Sequence, residues 1–326
     1  MSRLAGAGLL VLVVAALAVP QFLPAYSLRI LDLALVAAIA VIGLCFAFGW
    51  AGLIHLAQAA FVGVGAYTSA LLTTRLGFGF WSALPIAVAA GALLSVVIGS
   101  PMLRLRGHYL ALATVGLNVT MEIVVKNWVG LTGGDDGIGS IPGIAVGSFA
   151  FRSDLRFYYL ALAFLTVAAL VGVAIRHSRY GRAMIAVRDD ELAAGASSID
   201  GVRTKLLAFT LCGAYGALSG TLYAHFSNYI SPGDFDGVRA ITLLVMLIVG
   251  GEVSIAGAIA GCILISFAPE WLRFVGQAYL TVFGAGIILV LVLLPGGLAG
   301  LLASIRARLD LSLRGPRPGL SGGTAP

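Results

Sequence analysis

Long apolar runs dominate the 326-residue chain, and they constrain its fold more than any other feature of the sequence. A helix that crosses the roughly 30 Å hydrocarbon layer of a membrane needs about 20 mostly apolar residues. Ten stretches approach that requirement, at 4–19, 28–48, 53–73, 81–103, 109–125, 157–175, 205–223, 238–249, 255–272 and 279–294. The runs predict an all-α, polytopic transmembrane helical bundle of about ten spans, with a range of eight to eleven.

Composition supports a membrane protein and argues against a metal site. Hydrophobic residues make up 60% of the chain and charged residues 10%, whereas soluble domains carry about 25% charged residues. The 43 glycines suit close helix packing in a bilayer. Three cysteines lie in apolar runs without CxxC spacing, and the four histidines share no metal-ligand spacing. We therefore expect the cysteines to be small packing residues and predict no bound metal.

The distribution of basic residues predicts the orientation. If ten spans alternate, thirteen of the 20 Lys and Arg residues lie on the side that carries both termini, and seven lie on the other side. The positive-inside rule then predicts that both termini are cytoplasmic. A cleaved signal peptide is the alternative for the first run, because Arg3 precedes it and the run ends in Ala18 and Val19, followed by Pro20.

Two hydrophilic segments divide the predicted transmembrane domain, residues 1–303. The segment 126–156 is predicted to be an external loop, and Thr132, Gly133 and Gly134 belong to it. It is either a plain connector or a docking and gating loop. The segment 176–204 is predicted to be cytoplasmic, as is a disordered, Gly/Pro/Ser-rich tail at 304–326.

The cytoplasmic segment 176–204 favours a short helix from Arg182 onward. Ala183, Val187 and Ala194 can share one face of it, with charges beside them. Such a helix can enter a groove on a partner, and ion pairs of Arg188 with its neighbours in the segment would fix its register. A solvated, charge-stabilised loop is the alternative.

Polar residues inside the apolar runs mark candidate functional positions. His55 and Gln58 lie three apart in the third run, and Thr114 and Asn118 lie four apart on one face of the fifth. Polar side chains at membrane depth face the protein interior or a water-filled path. The four residues either line a substrate path or form interhelical hydrogen bonds. Glu122 is interpreted as an i,i+4 partner of Lys126.

Sequence motifs exclude several enzymatic roles. The chain has no Gly-x-x-x-x-Gly-Lys-Ser/Thr phosphate-binding motif, so ATP hydrolysis is not expected on it. No catalytic constellation is recognisable either, which argues against a membrane-embedded enzyme. A buried carboxylate network of the kind that ion-coupled carriers use is also not evident, although an ion-coupled secondary transporter acting alone is retained as an alternative.

Seven segments resemble the permease family of branched-chain amino acid ABC importers, in its LivM-type branch. They are 52–67 (GLIHLAQAAFVGVGAY), 103–109 (LRLRGHY), 132–134 (TGG), 180–194 (YGRAMIAVRDDELAA), 205–209 (KLLAF), 229–232 (YISP) and 294–300 (LPGGLAG). Each segment is weak, but their order and spacing are specific and cover most of 31–300. Two departures are His-Leu-Ala at 55–57, where the family has Ser-Leu-Gly, and GASSID at 195–200. The first departure bears on which substrate is transported, because that span can line the path. The second bears on how the segment fits the ATPase.

The resemblance implies a function, partners and a coupling site. It implies an inner-membrane permease subunit that works with a second, LivH-type permease, two cytoplasmic ATPases carrying ATP and Mg, and a periplasmic binding protein. The chain itself would bind no cofactor and no nucleic acid. Leucine, isoleucine or valine is the expected substrate, with urea, amides or aromatic acids as alternatives. The ATPase-coupling residues would be Gly181, Arg182, Ala183, Arg188, Asp189, Glu191, Ala193 and Ala194.

Overall fold

A computed structural model describes residues 17–272 apart from 106, 148 and 152, together with 281, 284–285, 288 and 296–301. The longer helices are α1 (Ala25–Leu44), α2 (Gln58–Thr74), α3 (Phe80–Met102), α4 (His108–Asn127), α5 (Asp154–His177), α6 (Arg179–Asp189), α7 (Glu191–Ala196), α8 (Gly201–Ser227), α9 (Gly237–Gly250) and α10 (Ile255–Trp271). A π-helix, Cys45–Trp50, continues α1. Short helical turns occupy Val129–Thr132, Gly134–Asp136 and Pro232–Phe235. Apart from a hairpin of two antiparallel two-residue strands, β1 (Ala145–Val146) and β2 (Phe149–Ala150), the described chain is all-α as predicted.

Among the described residues, five helical stretches are long and apolar enough to cross a membrane. They are Ala25–Trp50, Phe80–Met102, His108–Asn127, Asp154–His177 and Gly201–Ser227, and Ile255–Trp271 is a shorter apolar helix. Most of the predicted runs 4–19 and 279–294 lies outside the described residues, as does the tail 304–326. The total of ten spans therefore stays a prediction.

Helix α8 packs against α1, α2 and α3 at the centre of the bundle. Small residues allow its backbone to approach its neighbours closely. A Cβ atom added to Gly65 of α2 would collide with the backbone of Ala217, and one added to Gly220 would collide with the backbone of Val62. Such small-residue contacts hold membrane helices together where the lipid supplies no hydrophobic driving force.

The connecting segments gather at two opposite ends of the bundle. At the long-loop end (75–79, 128–147 and 228–236), Ile138 and Ile230 pair as an isolated β-bridge. Arg75 there donates a 2.8 Å hydrogen bond to the carbonyl of Gly130. The paired-helix end contains 103–105, 178–200 and 251–254, and Arg188 forms an ion pair with Glu252 across it. The helices alternate in direction between these ends.

The third predicted span, 53–73, is wrong in its first turn. Helix α2 begins at Gln58, and residues 53–57 are non-helical. Leu53, His55 and Ala57 are buried while Ile54 and Leu56 are more exposed, which is the period-two alternation of an extended segment. Apolar composition does not reveal this break, because the freed backbone amide of Leu56 is satisfied by a distant side chain, as described below.

The segment 176–204, predicted to be cytoplasmic, contains two short helices where the sequence predicted one. Asp190 separates α6 from α7 with φ −157° and ψ 109°, both outside the helical region. Its carboxylate accepts hydrogen bonds from the amides of Leu192 (2.8 Å) and Ala193 (3.0 Å). Asp190 thus caps the N-terminus of α7, and capping favours a non-helical backbone at that residue.

Candidate functional site

Gln58 ties three helices together in the interior of the bundle. Its Nε2 donates to the carbonyl oxygens of Ala40 in α1 (2.8 Å) and Cys212 in α8 (3.3 Å). The Cys212 thiol donates to Gln58 Oε1 at 2.9 Å. Both donor hydrogens are used and the side chain is fully buried. Of the two interpretations of this residue, the contacts favour the interhelical hydrogen bond.

Three buried polar residues, His55, Thr114 and Asn118, make up what we call the waist. Thr114 Oγ1 accepts a 3.1 Å hydrogen bond from the amide of Leu56, which brings the extended segment 53–57 against α4. Asn118 Nδ2 reaches the carbonyl of Phe235 at 3.4 Å. Thr114 and Asn118 share the inward face of α4, as the four-residue spacing predicted.

The waist retains unused hydrogen-bonding capacity. Three of its buried atoms have no hydrogen-bond partner within the described part of the chain. They are the two ring nitrogens of His55 and the Oδ1 of Asn118. The imidazole packs against the rings of Phe61 and Phe209, with centroids 5.7 Å and 4.9 Å away. Buried polar atoms without partners are costly, so such atoms are candidates for contact with a ligand or with water.

An outer cavity of about 260 Å³ opens between α2, α4 and the turn Pro232–Phe235. Its lining includes Trp128 and Thr132 of the long-loop end and is almost entirely apolar. Tyr67 of α2 also lines it, and the Tyr67 hydroxyl is buried without a hydrogen-bond partner among the described residues. The cavity therefore has an apolar wall, and one of its lining residues carries a buried, uncommitted hydroxyl group.

An inner cavity of about 320 Å³ lies at the paired-helix end. Gly52 and Ile54 of the segment before α2 line it, together with Leu110 of α4 and Arg188 of α6. Its wall is half polar because charged side chains of α6, α7 and α8 contribute to it.

One face of α4 connects the two cavities. Leu110 lines the inner cavity, Thr114 and Asn118 belong to the waist, and Met121 and Val125 line the outer cavity. Residues spaced by three or four positions lie above one another on a helix. The inner cavity, the waist and the outer cavity therefore follow one another along the seam between α4 and the segment 52–71.

The predicted coupling residues divide into a buried and an exposed set. Gly181 and Ala194 are buried against the chain's own spans, together with Met184 and Val187, and Ala183 is half-buried beside Thr204 of α8. Arg182, Arg188, Asp189, Glu191 and Ala193 are exposed, and so is the neighbouring Leu192 at 87%. The small-residue face that the sequence assigned to a partner therefore contacts the protein itself.

The ion pairs of Arg188 and Glu191 also differ from the expected ones. Arg188 Nη2 lies 2.5 Å from Glu252 Oε1, and Lys205 Nζ lies 2.7 Å from Glu191 Oε2. Neither pair joins neighbours within the segment, because adjacent residues on a helix point in different directions. Instead the pairs connect α6 to the turn 251–254 and α7 to α8. Glu252 is a functional candidate that sequence reasoning missed, although the glycine pair at 250–251 directly before it is typical of a turn.

The loop residues Thr132, Gly133 and Gly134 have a structural role in the long-loop end. Thr132 Oγ1 donates to the carbonyls of Val125 (2.6 Å) and Trp128 (2.9 Å). Gly133 and Gly134 have φ of +81° and +64°, which glycine adopts without strain. The loop is therefore tightly folded back on α4.

The ion pair predicted between Glu122 and Lys126 is confirmed. Lys126 Nζ lies 2.7 Å from Glu122 Oε1, at i,i+4 spacing near the long-loop end of α4.

Comparisons with known proteins identify the family. The model of the family "branched-chain amino acid transport system / permease component" matches residues 26–293. The high-affinity branched-chain amino acid transport system permease protein LivM of Escherichia coli strain K12 is 31% identical over 89% of this chain and 74% of its own length. Salmonella typhimurium LivM is 30% identical over the same shares, and LivH of that organism is 28% identical over 81% of this chain and 91% of its own. No solved structure is significantly similar to the chain.

The match covers the waist, both cavities, and helices α6 and α7, and the described chain carries several helices able to span a membrane. Its role is therefore transport and not catalysis. The chain belongs to the branched-chain amino acid transport permease family, as a multi-pass inner-membrane component of an ABC importer.

Proposed function

We propose that this chain translocates leucine, isoleucine or valine across the inner membrane along the seam between α4 and the segment 52–71. The observation that carries the proposal is the succession of outer cavity, polar waist and inner cavity along one face of α4. The curated relatives LivM and LivH are named for high-affinity branched-chain amino acid transport.

The outer cavity suits a branched aliphatic side chain. Its wall is almost entirely apolar, and small-molecule sites commonly combine such a wall with a few orienting polar groups. The Tyr67 hydroxyl and the waist can supply those groups for the charged amino and carboxylate ends of an amino acid. A urea or amide substrate has no aliphatic branch to fill this cavity, which favours the branched-chain amino acids over these alternatives.

The extended segment 53–57 supports a transport role for the waist. Non-helical backbone at membrane depth is tolerated where it is buried in protein or lines a cavity. In transporters, discontinuous helices of this kind commonly mark the binding site. The positive end of the α2 dipole also lies there, since α2 begins at Gln58 in the interior of the bundle. We therefore assign His55, Thr114 and Asn118 to the path and Gln58 to its structural support.

The partner proteins of the importer are assigned to the two ends of the helix bundle. We assign the paired-helix end to the cytoplasm, where two ATPases would bind the exposed side of α6 and α7, including Arg182, Leu192 and Ala193. The long-loop end would face the periplasmic binding protein. A second permease would complete the path. Ten spans with both termini cytoplasmic agree with the charge bias, and a reporter fused after Gly300 tests this orientation. The reporter is an enzyme that is active only in the periplasm, and its activity in this fusion would contradict the orientation.

The test of function is uptake by the assembled importer. The chain is purified with the second permease, the ATPases and the binding protein, and reconstituted in liposomes with ATP. We expect ATP-dependent accumulation of leucine that isoleucine and valine inhibit and that urea, acetamide and phenylalanine do not. ATP-dependent accumulation of one of the latter group, with no leucine uptake, would transfer the substrate assignment to that class. Accumulation by the chain without ATPases, under an ion gradient, would refute the ABC mechanism.

The path is tested by paired substitutions on α4. Thr114→Phe places a ring in the waist, whereas Val115→Phe places it on the neighbouring exposed face, where Val115 is 41% exposed. We expect Thr114→Phe to reduce uptake by at least about tenfold, which corresponds to about 1.4 kcal/mol. Val115→Phe should transport within about twofold of the original rate. Thr114→Ser, which keeps the hydroxyl that accepts from the Leu56 amide, controls for insertion and folding. The opposite ranking would move the path to the outer face of α4.

A further inference from the structure

Arg188 of α6 connects three parts of the chain at the paired-helix end. Its Nη2 pairs with Glu252 Oε1 at 2.5 Å, and its Nη1 donates to the carbonyl of Gly49 at the end of the π-helix. The side-chain stem lies over Gly52, where an added Cβ would be 3.1 Å from Arg188 Cγ. One guanidinium group thus joins α6, the turn 251–254 and the segment that leads into the waist.

The turn 251–254 is itself fixed to the π-helix. The indole Nε1 of Trp50 donates to the carbonyl of Val253 at 3.1 Å, and the Arg176 guanidinium of α5 donates to the same oxygen. The Arg176 guanidinium carbon also lies 5.7 Å from the centroid of the Trp50 ring. At Gly49 an added Cβ would collide with the carbonyl of Glu252. Displacement of this turn must therefore displace the π-helix with it.

The π-helix leads directly to the waist. Cys45–Trp50 is followed without another helix by residues 51–57, which contain His55 and lead to Gln58, the first residue of α2. π-Helical segments are rare and occur frequently at functional sites. Packed elements joined by such contacts move as units, so a shift of α6 reaches the extended segment through Arg188.

We propose that the Arg188–Glu252 pair is the contact through which movement of α6 and α7 displaces the extended segment 53–57 and opens the waist. This inference rests on the proposed transport path. Arg188 and Glu252 act as positioning residues, since neither belongs to the waist. The two side chains are 32% and 35% exposed, and partly exposed ion pairs contribute little to folding stability. Their removal should therefore affect coupling more than folding.

Charge exchange tests the pair in the complete importer. Arg188→Glu and Glu252→Arg should each reduce leucine transported per ATP hydrolysed by at least about tenfold. The double exchange, Arg188→Glu with Glu252→Arg, restores the ion pair but not the bond to the Gly49 carbonyl, and it should therefore recover part of that loss. The matched control is Arg203→Glu, which breaks the exposed Arg203–Asp200 pair (3.0 Å) in the same cytoplasmic region and should leave the ratio unchanged. Single variants with an unchanged ratio, or a double exchange without recovery, would overturn the proposal.

A second measurement is independent of the substrate. Ile54→Cys lies on the extended segment and lines the inner cavity. The native cysteines Cys45, Cys212 and Cys262 are buried, so labelling of Ile54→Cys by a water-soluble maleimide can be followed directly. The labelling rate should change between nucleotide-free and ATP-trapped importer, and Arg188→Glu should abolish that change. A change that persists in Arg188→Glu would overturn this inference, even if the substrate assignment is correct. A wild-type importer without leucine uptake would refute the substrate assignment but not this result.

Discussion

Substitution of Gly65 by alanine should separate α2 from α8. The added methyl group would meet the carbonyl and Cα of Ala217, which are backbone atoms and cannot rotate away. Overpacking of this kind costs about 1–3 kcal/mol. Alanine regains up to about 1 kcal/mol through its higher helix propensity. The net expectation is a loss of about 1–2 kcal/mol of unfolding free energy, or roughly a tenfold shift in the folding equilibrium.

The matched control is Gly116→Ala in α4. Gly116 has no heavy atom within 4 Å of an added Cβ, so the helix-propensity gain should appear without a packing cost. The assay is SDS-induced unfolding of the full chain in detergent micelles, followed by far-ultraviolet circular dichroism. We expect the SDS midpoint to fall for Gly65→Ala and to stay equal or rise for Gly116→Ala. Equal midpoints for Gly65→Ala and the original chain would refute the close-packing argument.

Three further predictions concern buried and exposed polar contacts. Gln58→Leu removes the hydrogen bonds to α1 and α8 and should lower the unfolding free energy by about 1–3 kcal/mol in the same SDS assay; an unchanged midpoint would contradict a structural role. Asp190→Ala removes the cap of α7, so it should lower the unfolding free energy by about 1 kcal/mol and speed amide exchange in α7. Asp190→Asn keeps a capping oxygen and should leave both the stability and the exchange rate unchanged. Lys126→Gln breaks the partly exposed pair with Glu122 and should change the unfolding free energy by less than about 1 kcal/mol, with normal uptake. Loss of uptake would indicate a transport role for Glu122.

Hydrophobic run length predicted most of the membrane helices. The runs 109–125 and 157–175 correspond to α4 (His108–Asn127) and α5 (Asp154–His177), because length and apolarity alone define such a helix. Helical spacing predicted the shared face of Thr114 and Asn118 and the Glu122–Lys126 pair. These features depend on local sequence, and they are the part of the site that a sequence can specify.

Features that depend on distant contacts were not predictable. The apolar residues at 53–57 read as the start of a helix, and their extended form depends on the Thr114 hydroxyl of α4. The Arg188–Glu252 pair joins residues 64 positions apart, so neighbours in sequence gave a wrong partner. By contrast, the break at Asp190 carried a local signal, since aspartate is a preferred N-cap residue. The unbroken run of helix-forming residues around it masked that signal.

Substrate protection at the waist tests the central claim most directly. Cysteine is introduced at Asn118, and Val119→Cys provides the control on the exposed face of α4, where Val119 is 44% exposed. The importer is labelled with a small methanethiosulfonate reagent during ATP-driven turnover, with and without leucine-loaded binding protein. We predict that Asn118→Cys reacts during turnover and that leucine slows the reaction, whereas leucine leaves Val119→Cys unaffected. An inert Asn118→Cys with normal uptake, together with leucine protection of Val119→Cys, would contradict a path along the inner face of α4.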